Sequence, residues 1–418
     1  MTTLVQPLPQ LAPGPAATEV AASAARLRSV DALRGFDMFW IIGATTLAQA
    51  LEQMSDNPAT RLLVTQLRHV QWEGLHAYDL IFPLFLFLVG VSIVLSLEKG
   101  PAQGGRWQVL FRILRRGVLL YLLGVFYYGG ISHPWPDIQL GGVLQRIALC
   151  YLAAALLYVT VPARALGAVA VLLLVGYWGL LAFVPFPDIH LDKATVEQVA
   201  ESIGSQSPAA IAAAVPERVH GVYAEGYNLT NYVDFRFLPG KRTERYYINE
   251  GLLSTLPSIV LCLAGIGAGR LLRDRRVSPR GKVTWLLAAG TAAVLLGYLW
   301  GLQFPLIKRI WSSSFVLVAA GYSAIFLGIF YLIIDVWQWR RWCEPFVWIG
   351  ANALTIYLVT NIVRFPQLAE RLVGGDVQLF LNRHVAKGLG DLTVALTSLA
   401  LAVLLVWFLY RRRIFLRV

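Results

Sequence analysis

With 418 residues, 57% of them hydrophobic and only 14% charged, and a mean hydropathy of +0.60, the chain is too apolar to cover itself with polar surface in water, which excludes a soluble globular domain. Its net charge of +12 is concentrated in short cationic stretches between apolar ones, a distribution that reports membrane topology and contact with anionic lipid rather than a nucleic-acid footprint. Cys150, Cys262 and Cys343 fall in expected spans or a cytoplasmic loop and form no CxxC pair, so neither a disulfide framework nor a metal site is expected.

Residues 1–25 are rich in Pro and Ala, contain no Lys or Arg and have no unbroken apolar core, so they read as a disordered cytoplasmic tail and not as a cleaved signal. Residues 26–418 read as a single transmembrane domain. A span needs about 20 mostly apolar residues, and stretches near 34–52, 78–97, 109–128, 140–160, 165–184, 252–272, 283–302, 314–335, 345–363 and 391–410 meet that length. The predicted fold is an all-α integral membrane protein of about ten transmembrane helices. The excess of Lys and Arg in the N-terminus, the even-numbered loops and the C-terminus puts both termini in the cytoplasm. The long outer loop 185–250 contains Pro185, Pro187, Pro208, Pro216 and Pro239, and loops of that length are functional or disordered. Its aromatic and polar part, from Tyr227 to Asp234 and through Asn249-Glu250-Gly251, has the composition of a carbohydrate-binding surface, or of a loop packed on the bundle.

The first candidate for chemistry in chain order is Arg34, at the cytoplasmic start of the first span with Asp31 and Asp37 nearby. A guanidinium matches phosphate oxygens bidentately, and the plainer reading is an Arg paired with one of those carboxylates. His69 follows in the outer loop before the second span, with Trp72, Glu73, His76 and Asp79 close behind. An imidazole can take a proton from an amine or accept an acyl group, and Asp79 or Glu73 is within reach to fix its tautomer. Asp79 is also placed to cap the second span. Arg112, Arg115 and Arg116 line the start of the third span, and Gln145 and Arg146 lie within the fourth, where an Arg must face a partner or a wet cavity. Gly265-Ile266-Gly267-Ala268-Gly269 superficially matches a dinucleotide loop, but it ends an apolar helix with no preceding strand, which favours close helix packing. Lys308 and Trp311 open the eighth span from the outer side, and Asn352 interrupts the ninth; each serves substrate or helix packing. No fixed-period repeat or pair of interrupted helices marks an inverted-repeat transporter.

Together these strings resemble the transmembrane heparan-α-glucosaminide N-acetyltransferase family and its bacterial relatives associated with N-acetylglucosamine use. The strings are RSVDALRGFDMFWIIG (28–43), HVQWEGLHAYDLIFPLFLFLVG (69–90), GGVLQRIALCYL (141–152), INEGLLSTLPSIV (248–260), IKRIWSSSFVL (307–317) and GANALTIYLV (350–359). The resemblance implies an acyltransferase of the bacterial cytoplasmic (inner) membrane, a homodimer, that takes acetyl-CoA as cosubstrate, with no metal and no nucleic-acid partner. The acceptor it implies is the amine of a glucosamine-type sugar on the outer face. It maps the catalytic histidine onto His69, with Asp79 orienting it. Arg34, Arg112, Arg116, Gln145 and Arg146 are then the expected acetyl-CoA contacts, and Trp72, Glu73, Asp234, Glu250, Lys308, Trp311 and Asn352 the expected sugar contacts. Two departures stand out: the chain lacks the large N-terminal luminal domain of the animal enzymes, and Thr45 stands where their first conserved span has an Asn. The Asp-x-Leu-Arg-Gly element is shared with membrane O-acyltransferases of surface glycans, which makes O-acyl transfer the first alternative and amino-sugar transport the second.

Overall fold

The computed structural model describes residues 27–55, 57–97 and 105–416; the expected tail, residues 1–25, lies outside the described residues. The described chain is helical almost throughout. The first half comprises α1 (Arg28–Met54), short α2 (Pro58–Gln66), α3 (Ile81–Leu97), α4 (Arg106–Tyr127), α5 (Val143–Thr160) and α6 (Ala163–Phe183). The segment 185–250 then folds into α7 (Lys193–Ile203), α8 (Pro208–Ala214) and α9 (Leu229–Phe237). Two small antiparallel pairs brace it, Phe186 opposite Val219 and Tyr223 opposite Asn228. The bundle resumes with α10 (Thr255–Arg273), α11 (Pro279–Gly301) and α12 (Ser313–Tyr331), followed by α13 (Glu344–Ala351) and α14 (Ala353–Val363). It closes with α15 (Phe365–Val373), α16 (Asp376–Phe380) and α17 (Leu389–Arg411).

Each apolar stretch expected to span coincides with a long helix or, for 345–363, with the pair α13 and α14. Among the described residues 7 helices are long and apolar enough to cross a membrane, and up to 8 if the bent pair, broken by 70°, counts as one span. The other two, α1 and α4, are long enough but carry charges along their length, Arg28, Asp31, Arg34, Asp37 and Glu52 in one and Arg106, Arg112, Arg115 and Arg116 in the other. Apolar length alone therefore supports fewer spans than the expected ten.

Small residues set how closely the helices approach. A Cβ on Gly90 of α3 would collide with the Cys262 carbonyl of α10, and one on Gly265 of α10 with the Phe87 carbonyl of α3. The glycine-rich run 265–269 thus serves close packing, as helix-to-helix contact between small residues requires. Gly35 and Gly350 do the same between α1 and α13, against the Phe346 and Asp31 carbonyls. Around these contacts Val30 and Leu33 of α1 bury against Leu84 and Leu88 of α3 and Leu327 and Phe330 of α12. The segment 185–250 is seated on the bundle by a separate apolar cluster in which Phe186 and Leu229 meet Tyr177, Leu181, Phe304 and Ile307. All three cysteines are free and buried. Leu27, just before α1, and Leu416, just after α17, line the same cavity as Arg34, so the described chain starts and finishes at one end of the bundle.

Candidate active site

His69 lies at the other end, and the loop around it is organised by one carboxylate. Asp79 sits in the single 3-10 turn Ala77–Leu80 that opens α3, and it is fully buried. Its Oδ2 accepts the backbone N–H groups of Val70 at 3.2 Å and His76 at 3.0 Å, which wraps the loop 70–76 around it. Its Oδ1 lies 2.8 Å from His69 Nδ1 and accepts from Lys308 Nζ at 3.2 Å. Capping and imidazole orientation, both read for Asp79 from the sequence, fall to the two oxygens of this one side chain. An ionised carboxylate only accepts, so its contact with Nδ1 favours Nδ1–H and puts the lone pair on Nε2, which Lys308 Nζ approaches to 3.4 Å; the tautomer follows from the carboxylate partner. The ring stacks on Tyr78 with centroids 4.6 Å apart and is half exposed, its side chain 53% accessible.

Lys308 arrives from a loop 239 positions away. The bridge between Glu73 and Ile307 and the hydrogen bond from Gly74 N–H to the Leu306 carbonyl, 2.9 Å, dock that loop on the His69 loop. Lys308 Nζ is 2.8 Å from His69 Nδ1 and 3.4 Å from Nε2. Burial pulls its ammonium below the usual lysine value, an effect the Asp79 carboxylate opposes. Three residues on, Trp311 takes a left-handed backbone, φ 53°, which a bulky residue adopts only under constraint. The constraint is visible: the Ile310 carbonyl accepts from Tyr177 OH, and the Ile307 N–H donates to Ser312 Oγ. The result places the Trp311 ring against Phe82, edge to face, and under the Arg146 guanidinium, 4.9 Å from its centroid.

His69, Tyr78, Lys308, Trp311, Asn249, Glu250 and Tyr357 line a cavity of about 290 Å³. A second cavity, about 530 Å³, enters the bundle from the end carrying Leu27 and Leu416 and is lined by Asp31, Arg34, Ser92, Ser96, Arg116 and Tyr151. Arg34 donates to Ser92 Oγ at 2.7 Å and pairs with Asp31 at 3.4 Å. Arg116 stacks over Tyr151, 4.8 Å from the ring centroid, and its Nε is buried without a partner among the described residues. The two cavities are built on the same helices and nearly meet. Phe82 and Phe85 of α3 line opposite cavities, as do Val143 and Leu144 of α5 and Tyr357 and Leu354 of α14. At about 1.5 Å of rise per residue, these wall residues lie about 1.5–4.5 Å apart along the helix axes, and the septum between the cavities widens to about 10 Å along α1, from Arg34 to Ile41.

Other expected contacts lie elsewhere. Arg146 and Gln145 were expected as acetyl-CoA contacts; α5 begins at the His69 end, and Arg146, one turn in, reaches Gly251, Ser254 and Ser258. Gln145 donates to the Gln139 carbonyl at the same end. Arg112 is exposed, donates to the Gln108 carbonyl and lines neither cavity. Trp72 donates its indole N–H to the Tyr223 carbonyl, and Glu73 is exposed on the docking bridge; both hold loops together. His76 bonds the Arg68 carbonyl and caps the 3-10 turn. Asn352 is buried at the break between α13 and α14. The residues of 227–234 read as a sugar-binding surface are mostly spent internally: Asn228 caps α9, Thr230 meets Tyr177, and Asn231 and Asp234 are buried. Sequence reasoning passed over Tyr78, Ser92 and Tyr151. The signal available for Ser92 was its hydroxyl in an otherwise apolar span.

Asp234 carries a pH-dependent consequence. Burial pushes its carboxyl up to about 7, against the opposing pull of the Leu252 N–H and of Arg146. The folded chain then holds a proton that an unfolded Asp, ordinarily near 3.9, has released, so this contribution to stability is complete below about pH 4 and is lost as pH rises through about 7. Asp234→Asn keeps an oxygen for Leu252 N–H but does not titrate. Thermal unfolding should show the wild type losing on the order of a few °C relative to this variant between pH 5 and pH 8; parallel curves would contradict the assignment.

Among the described residues no group of three or more His, Cys, Asp or Glu could hold a metal ion. Residues 26–193, which contain Arg34, His69, Asp79 and Arg116, match a family described as a domain of unknown function, DUF5009. The human heparan-alpha-glucosaminide N-acetyltransferase is 25% identical to the chain in an alignment covering 96% of it and 61% of the human protein. The mouse heparan-alpha-glucosaminide N-acetyltransferase is 25% identical across 83% of the chain and 56% of its own length. The chain thus spans about six tenths of the length of these curated relatives. The resemblance read from the motifs extends over nearly the whole sequence, and the chain is similar along that length to the heparan-alpha-glucosaminide N-acetyltransferases.

Proposed function

We propose that this protein is a transmembrane acetyltransferase of a cytoplasmic membrane that moves an acetyl group from acetyl-CoA on the cationic, cytoplasmic side to the amine of a glucosamine-type sugar at the His69 side. On this reading α1 and α4 also span, with their charges turned to the cavity. One observation carries the proposal: a cationic cavity and the cavity lined by His69 and Lys308 enter from opposite ends, with walls formed by neighbouring residues of α3, α5 and α14. A thioester needs to cross only the septum between them, not the whole ~30 Å hydrocarbon core.

The residues divide the work by position. Arg34 and Arg116 supply guanidinium groups for phosphate oxygens, with the buried Nε of Arg116, unpartnered among the described residues, a donor for an anion. His69 Nε2 takes the proton from the attacking amine, and Asp79 holds Nδ1–H and stabilises the imidazolium that forms. Lys308 stands beside the ring, where an ammonium stabilises the oxyanion of the tetrahedral intermediate. Amide formation breaks the C–S bond and releases the CoA thiolate, which is protonated to the thiol. Asn249 and Glu250, on the cavity wall, offer hydrogen bonds to sugar hydroxyls.

The test is acetyl transfer from labelled acetyl-CoA by purified protein reconstituted in vesicles. Labelled N-acetylglucosamine formed from glucosamine supports the proposal. Label that goes only to hydroxyl acceptors would move O-acyl transfer ahead, and absence of acetyl-CoA binding would remove both transferase readings. Arg34→Ala is expected to raise KM for acetyl-CoA roughly 10- to 100-fold, the worth of a charged hydrogen bond, while kcat at saturation changes little. A fall in kcat with KM unchanged would place Arg34 outside the CoA site.

A further inference from the structure

Asp37 is a buried carboxyl that the mechanism leaves unused. It lies in α1 between Arg34, on the wall of the cationic cavity, and Ile41, on the wall of the His69 cavity. Its position continues the stripe Leu27, Val30, Arg34, Ile41 at the three- and four-residue spacing of one helix face. The side chain is 0% exposed, and neither of its oxygens has a hydrogen-bond partner among the described residues. Arg34, the obvious partner one turn away, is committed to Asp31, Ser92 and the Gly350 carbonyl. An ionisable group at this depth persists mainly where it binds something, and a buried polar atom without a partner is costly enough to need a reason.

Resting on the acetyl-CoA reading above, we infer that Asp37 is a recognition residue for the thioester arm, hydrogen-bonding an amide of the pantetheine chain as the chain crosses the septum. The arm carries secondary amides between its phosphate and thioester ends, and Asp37 lies at the level where a molecule anchored by Arg34 and reacting at His69 passes. An amide suits a carboxyl in either protonation state: its N–H donates to a bare oxygen, and its C=O accepts from a carboxylic O–H. Asp37 touches no reacting atom in this role; it selects and positions the arm.

Two small thioesters of similar length separate this from a structural role: S-acetyl-N-acetylcysteamine, which has an amide, and S-butyl thioacetate, which has none. Steady-state transfer to glucosamine by the full-length protein in vesicles should favour the amide-bearing donor in the wild type. Asp37→Leu should lower that preference roughly 10-fold, the value of one hydrogen bond made in a dry site, chiefly through KM. Asp37→Asn, which still donates and accepts, should keep most of it. Asp37→Ala, which adds no bulk, gives the same comparison if the leucine variant does not fold. A preference unchanged in these variants, or a loss equal for both thioesters, overturns the inference, as does a wild type that uses both donors equally; acetyl transfer itself survives those outcomes. A wild type that binds no acetyl-CoA and uses neither thioester overturns the inference and the transferase reading together.

Discussion

Alanine at position 69 is expected to reduce acetyl transfer by about 10²- to 10⁴-fold, the range that loss of a positioned general base produces, with acetyl-CoA binding retained. The geometry makes the change local. The His69 side chain is half exposed, so its removal opens no sealed core cavity, and the Asp79 carboxylate keeps Lys308 and the Val70 and His76 N–H groups. The cationic cavity enters from the opposite end and shares no wall residue with His69. Activity measured beside acetyl-CoA binding on one preparation decides the matter. Transfer above a tenth of wild type would move the base elsewhere, and loss of both activity and binding would mean that the loop had collapsed. Rapid quenching of wild type without acceptor separates base from nucleophile: trapped acetyl-enzyme that vanishes with His69 would make the imidazole an acyl carrier.

The parts legible in the sequence were those with a short physical signature. Ten residues separate His69 from Asp79, and one 3-10 turn bridges them, so a histidine near a candidate helix cap was already a candidate pair. The 265–269 glycines read as packing because no strand preceded them, and the Phe87 carbonyl against Gly265 agrees. Lys308 was nominated, but not as a partner of His69, because the pairing depends on a backbone bridge between loops far apart in sequence. Arg146 meets Ser254 and Ser258 of α10, neighbours that depth in a helix alone does not report. Asp234 read as a surface carboxylate in a polar loop, whereas α9 turns it inward to hold the Leu252 N–H. Alternation and composition report which residues are polar, and only the tertiary fold reports which polar residues are already satisfied.

Asparagine at position 79 is expected to lower kcat by about 10²- to 10⁴-fold although it is nearly isosteric, because a carboxylate-to-amide change behind a catalytic histidine favours the wrong tautomer. Asp79 receives four donors: His69 Nδ1–H, Lys308 Nζ and the backbone N–H groups of Val70 and His76. An amide offers one oxygen and turns two N–H donors toward the others. If the oxygen stays with the fixed backbone pair, the NH₂ faces His69, the imidazole shifts its proton to Nε2, and the base is lost. If the oxygen turns to His69, the two backbone N–H groups lose their acceptor at a cost of roughly 1–3 kcal/mol each. Thermal unfolding of Asp79→Asn measured beside kcat separates these effects: a variant close to wild type in stability with kcat still down by about 10²- to 10⁴-fold reports the tautomer. A variant that loses stability while keeping more than a tenth of wild-type kcat would make Asp79 a loop anchor, with the imidazole setting its own tautomer.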